Sequence, residues 1–179
     1  MKKFVLGFFV GILVIPAGAL AAAWMGWLPV NANAAPGRME TAFAHLALER
    51  AVARSAPHVS DPIAPTEENL MAGMKIFKDD CAGCHGDGVR ASSWGTTSFY
   101  PRVPQLGQER PRMSAEQTYW VVKHGVRYTG MAAWDGLFGK DASGKEISDE
   151  KIWTVVTFLS HLDSLPPEVD AEWRKKSGE

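Results

Sequence analysis

The chain has 179 residues, 46% of them hydrophobic and 22% charged, with a formal net charge of −1. That composition describes one globular domain with an attachment rather than several domains. Beyond residues 1–35, whose only charges are Lys2 and Lys3, 17 basic residues stand against 20 acidic ones. The basic footprint of a nucleic-acid binder is missing.

Residues 1–28 form a targeting segment. Lys2 and Lys3 precede an uncharged, mostly apolar run from Phe4 to Leu28. As a helix this run spans about 37 Å, enough to cross a bilayer core with tilt. Trp24 and Trp27 stand at its far end, where interfacial aromatics belong. The run exceeds a signal-peptide core, which favours an uncleaved anchor. The alternative is a cleaved signal, with Phe4–Ile15 as its core, Pro16 breaking the helix and Ala19-Leu20-Ala21 near the cut. Either way the leading lysines keep the N-terminus cytoplasmic and send the remainder to the periplasmic side.

Residues 29–66 read as a tether with an accessory helix. Pro29–Pro36 is polar and rich in Ala and Asn. Met39–Arg54 is helical in pattern, with Met39, Phe43, Leu46 and Ala47 on one side and Glu40, Glu49, Arg50 and Arg54 polar. The apolar side is expected to pack on the main domain; a helix lying on the membrane surface is the alternative. His45 and His58 fall in or beside this segment and read as surface or capping residues. Asp61-Pro62 and Ala64-Pro65 then disfavour helix.

The main domain is expected over residues 67–167, followed by a tail at 168–179. Thr66 is a good N-cap, and Glu67 and Glu68 suit the start of a helix running to Asp79. Gly73 and Phe77 share one face of it, with Leu70 and Met74 alongside. The helix delivers the chain to Cys81-Ala82-Gly83-Cys84-His85. A C-x-x-C-H run is the attachment site of c-type haem: both thiols add across the porphyrin vinyl groups, and the adjacent His ligates iron. Two small residues between the thiols let one turn present both sulfurs to one porphyrin edge. A thioredoxin-like pair would want a βαβ context, and a zinc site a second ligand pair; the sequence offers neither. Cys81 and Cys84 are the only cysteines.

A second helix starts at Ser114, with Gln117 at capping-box spacing, Tyr119, Trp120 and Val122 inside, and Gly125 at its C-terminal cap. A third is expected to be capped by Ser148 and led by Asp149 and Glu150. It carries Ile152, Trp153, Val155, Val156, Phe158, Leu159 and Leu162, and ends before Pro166-Pro167. No strand is evident. The class is all-α, a few helices joined by loops so long that they imply a function.

Residues 67–165 resemble the class I monohaem cytochromes c, in the membrane-anchored bacterial form. The resemblance rests on the haem motif at the end of the first helix, a later Met in a Gly-containing loop, and the closing apolar helix. It implies helices and loops wrapped around one covalent haem c, with Gly73 and Phe77 crossing the last helix at Val155 and Phe158. It implies Met131, in Tyr128–Trp134, as the second axial ligand beside His85. The family often has Pro after this Met, where Ala132 stands here. Met71, Met74 and Met113 read as packing, while His124 and His161 leave bis-His ligation as an alternative. By the same resemblance a Pro carbonyl orients His85, Pro104 being preferred to Pro101. Trp94, Tyr100, Arg102 and Arg127 are candidates for the haem surroundings.

Iron closed by His85 and Met131 implies a one-electron carrier and no enzyme. Its partners are expected to be a redox donor and acceptor, membrane-associated like the anchored chain, within the respiratory chain. Two alternatives stand: a cytochrome subunit of a dehydrogenase or oxidase complex, and a haem enzyme or gas sensor with a displaceable Met. Arg90, Arg102, Arg110, Arg112, Lys123 and Arg127 outnumber Glu109 and Glu116 locally, which suggests a basic docking patch.

Overall fold

The computed structural model describes residues 2–137, 139 and 147–175; the last four positions of the expected 168–179 tail lie outside them. Every regular element among the described residues is helical. The chain divides into two compact units, Met1–Ala34 and Ala35–Glu179.

The first unit is one helix, α1 (Lys2–Trp24). It runs through Pro16 without a break, and Gly7–Trp24 has a mean hydropathy of 2.0. Such a helix suits an anchor and a signal sequence equally well.

The second unit opens with α2 (Arg38–Ser55), whose first turn is closed by Gly37 N–H donating to Glu40 Oε2 at 3.3 Å. The face that packs is not the expected one. Thr41 and Leu48 are half-buried and Val52 is buried, whereas Met39, Phe43 and Leu46 are exposed. Apolar periodicity locates a stripe, but it does not say what the stripe faces.

The core is built where α3 (Glu67–Ile76) crosses α7 (Ile147–Ser160). Thr66 caps α3, its Oγ1 accepting from Asn69 N–H at 3.3 Å. A Cβ on Gly73 would lie 2.3 Å from Thr154 O and 2.7 Å from Phe158 Cβ, so only glycine permits this helix separation. Around the crossing Leu70, Met74, Phe77, Val155, Phe158 and Leu159 are buried. Full burial of each side chain contributes about 1.5–3 kcal/mol. The helix α7 begins at Ile147, so Ser148 lies in its first turn, fully buried, and is not the outer cap expected.

Two short helices and α6 complete the frame. A π-helical turn (Phe77–Cys81) continues α3, followed by α4 (Ala82–His85) and α5 (Ser93–Thr97). The sixth helix, α6 (Ala115–His124), starts with Ser114 N–H donating to Gln117 Oε1 at 3.2 Å. It ends at Gly125, whose φ of 66° suits glycine. Tyr119 of α6 stacks on Trp153 of α7, with centroids 4.3 Å apart.

The tail carries an unexpected helix, α8 (Pro167–Trp173), with Pro167 in its first turn. Trp173 meets Phe77 and Phe158 edge-on, and Lys78 Nζ donates to Glu172 O at 2.7 Å. Through Val169 and Trp173, which are buried, α8 therefore belongs to the core.

Candidate haem site

The π-helical turn widens the end of α3, and α4 follows with Cys84 and His85. A π turn adds a residue per turn and recurs at functional sites. Gly83 between the cysteines has no neighbour in the space a Cβ would take, so the turn carrying the thiols is open on that side. Burial, then the Asp80 carboxylate and Cys84, push the Cys81 thiol up to about 12.

His85 is held from behind. Its Nδ1 lies 2.8 Å from Pro104 O, the carbonyl expected to orient it. A carbonyl only accepts, so Nδ1 carries the proton and the Nε2 lone pair is left for a metal. Burial lowers the imidazole below its usual range, and the Pro104 bond opposes this in part. The ring is therefore neutral near pH 7, the form that ligates iron.

Gln105 locks this arrangement, a role the sequence reading did not give it. Its Oε1 accepts from Ser92 N–H at 2.7 Å, and its Nε2 donates to Val103 O at 2.9 Å and Cys84 O at 3.3 Å. Ser92 Oγ in turn donates to Gly83 O at 2.6 Å and accepts from Gly95 N–H at 3.0 Å, capping α5. Gly107 N–H donates to His85 O at 3.0 Å. Carbonyls of the three residues Gly83, Cys84 and His85 are thus tied to later loops.

Met131 sits in a loop fastened to the end of α6. Val126 N–H donates to Met131 O at 3.0 Å, Met131 N–H to Thr129 Oγ1 at 3.0 Å, and Trp134 N–H to Lys123 O at 3.0 Å. These bonds supply stiffness without the missing proline. Met131 and Cys81 both border one apolar cluster of Tyr119, Val122, Trp134, Ile152, Trp153 and Val156. Two soft sulfur side chains thus share one apolar wall.

The other candidates divide. Trp94 packs edge-on against Phe99, and Phe99 lies where a Cβ on Gly130, beside Met131, would stand. Arg102 Nη1 donates to Thr97 O at 2.6 Å and Phe99 O at 2.8 Å, bracing that turn. Tyr100 bonds Glu40 of α2, which raises its pKa. Arg127 lies over the Tyr128 ring at 5.9 Å. His124 is exposed beside Trp120, and His161 Nδ1 bonds Thr157 O at 2.8 Å. Met74 is buried in the core and Met113 is half-buried before α6.

The basic patch is thinner than its sequence suggests. Lys123 pairs with Asp149 at 2.6 Å and Asp135 at 3.7 Å, and Arg110 with Asp163 at 2.9 Å.

The donor set fits a c-type haem: two thiols on one turn, a neutral imidazole with Nε2 free, and a thioether on a fastened loop. Comparison with the curated proteins gives no match, and comparison with solved structures gives none. Against family models, residues 68–159 match the family described as "Cytochrome C oxidase, cbb3-type, subunit III". These residues run from the first turn of α3 to the end of α7, just over half of the chain, and the chain belongs to that family of haem-based electron-carrier cytochrome c domains.

Proposed function

We propose that the chain is a one-electron carrier holding one haem c, with Cys81 and Cys84 as thioether anchors and His85 and Met131 as axial ligands. The observation that carries this reading is the His85 Nδ1 to Pro104 O contact of 2.8 Å inside the C-x-x-C-H turn. It fixes the tautomer that leaves Nε2 for iron. When bound, the haem supplies a ferric/ferrous couple whose potential a thioether ligand raises. The chain's own residues set burial and orientation. Pro104 and Gln105 hold the His85 turn, the bonds of Val126, Thr129 and Met131 hold the thioether loop, and Tyr119, Trp153, Ile152 and Val156 exclude water beside it. With His85 and Met131 both holding the iron, substrate or O₂ would find no open place, which favours transfer over catalysis.

In this reading α1 stays attached and keeps the domain near the outer face of the cytoplasmic membrane, where it meets a membrane-associated redox donor and acceptor. Tethering raises the effective concentration toward such partners. The family's description favours a more specific form, a cytochrome subunit of an oxidase complex. Purification in mild detergent separates the two, since an obligate subunit travels with its complex.

Two measurements test the site. Mass spectrometry of denatured protein should find haem on the parent chain and none on Cys81→Ser/Cys84→Ser. Met131→Ala should lose the weak red absorption band of Met-ligated ferric haem, lower the potential and admit CO, while Met113→Ala does none of these. A Met131→Ala protein with unchanged spectrum and potential would overturn the ligand assignment. A five-coordinate spectrum in the parent would favour an enzyme or gas sensor.

A further inference from the structure

We propose that the outward face of α2 (Arg38–Ser55) is a lipid-contacting surface that seats the domain on an anionic membrane leaflet. The inner row of the helix is Thr41, Leu48 and Val52, continued by Ala56 at its C-cap, which are half-buried or buried. At about 100° per residue, Met39, Phe43, Leu46 and Arg50 fall within about 60° of one another on the opposite side. Met39 is 88% exposed, Phe43 75% and Leu46 53%. Single exposed apolar residues need no explanation, but three in one row on one helix do.

The charges on that face share one sign. Arg50 continues the row and Arg54 lies one turn further on, while Glu40 and Glu49 flank it on either side. Glu40 is engaged besides, accepting from Gly37 N–H and bonding Tyr100. An apolar row with arginines at its edge matches lipid chains below and anionic headgroups around them. A two-fold copy of this chain fits less well, since it would set arginine-bearing faces against each other.

Connectivity supplies the remaining argument. Residues 25–37 separate the end of α1 at Trp24 from the start of α2 at Arg38. Fully extended, this linker reaches at most about 45 Å. A chain anchored by α1, as in the reading above, therefore keeps α2 within that reach of the leaflet, at an effective concentration where three apolar side chains suffice for an otherwise weak contact.

The test uses the full haem-loaded chain in nanodiscs of phosphatidylcholine with added phosphatidylglycerol. A nitroxide is placed on Ala47→Cys, beside the exposed row, or on Ala44→Cys, away from it, with the parent chain as labelling blank. The ratio of relaxation by oxygen to relaxation by a water-soluble nickel chelate should be at least about threefold higher at position 47 than at 44, as for a helix lying in the interface. Phe43→Glu/Leu46→Glu should bring the two positions level. Arg50→Glu/Arg54→Glu should lower the ratio in anionic discs and leave it unchanged in neutral ones. A position-47 label as open to nickel as position 44 would overturn the proposal, because the face then lies in water. Protection from both relaxers would overturn it equally, because the face is then covered by protein.

Discussion

Gly73→Ala tests the account of the fold by the sign of its effect. Glycine inside a helix is less favourable than alanine by about 1 kcal/mol, so propensity alone expects the substitution to stabilise α3. The structure expects the reverse. The new Cβ would meet Thr154 O at 2.3 Å and Phe158 Cβ at 2.7 Å, and a main-chain carbonyl cannot rotate away. Relief requires α3 and α7 to separate, loosening Leu70, Phe77, Val155 and Phe158 together. Overpacking costs about 1–3 kcal/mol, and an immovable obstacle belongs at the upper end. After the propensity gain, a net loss of about 1–2 kcal/mol remains. Urea unfolding of the haem-loaded chain in mild detergent, followed by circular dichroism, reads this as a midpoint lower by about 0.5–1 M. A midpoint unchanged or raised would refute the crossing at Gly73.

Thr66→Ala removes the acceptor for Asn69 N–H and should cost about 1 kcal/mol in the same assay. Trp173→Ala empties a buried site between Phe77 and Phe158 and should cost about 3–5 kcal/mol; a loss under 1 kcal/mol would show that α8 is dispensable. The pair Lys123 and Tyr119 should make the protein alkali-sensitive. Burial opposes the Lys123 charge, but hydrogen bonds to Asp149 and Tyr119 outweigh it and raise its pKa, while burial and the Asp149 bond raise that of Tyr119. Both groups bind protons more tightly folded than unfolded, so their contribution is complete below about pH 10 and falls as pH rises through the raised values. Thermal unfolding from pH 9 to 12 should show this decline, and Lys123→Met should flatten it while removing about 1 kcal/mol at neutral pH, Asp149 being partly exposed; an identical slope in the variant would reject the assignment.

The parts legible in the sequence are those where one residue type has few physical uses. Cys81, Cys84 and His85 at C-x-x-C-H spacing point to little besides haem attachment, and Ser114 with Gln117 before an apolar run marks a helix start that the structure contains. The apolar residues from Ile152 to Leu159 have only one broad face to offer, and that face is buried. Gln105 was not legible because its three bonds reach back from 2 to 21 positions. A glutamine leaves no periodic trace, and only the folded loop brings Ser92 and Cys84 within its reach. The boundary at Pro167 misled for a related reason. Two prolines end a helix, but Pro167 is equally suited to begin one, and what decides is Trp173, six residues further on, finding Phe77.

The second helix shows where pattern reasoning has to give way to counting partners. Its strongest apolar row, Met39, Phe43 and Leu46, has larger side chains than the row that packs, where Thr41, Leu48 and Val52 lie. Side-chain size alone would turn the helix over. Two contacts hold it as it is: Val52 and Ala56 are buried at its C-terminal end, and Glu40 bonds Tyr100 near its N-terminal end. Small side chains allow the close approach that lets both ends dock at once, whereas Phe43 facing inward would stand the helix off. An exposed row of this kind in a freely diffusing protein is an aggregation liability. In a chain whose preceding helix has the length and hydropathy of a membrane span, the same row has a solvent suited to it if that helix stays attached, which is why its exposure and the proposed anchor are read as one feature.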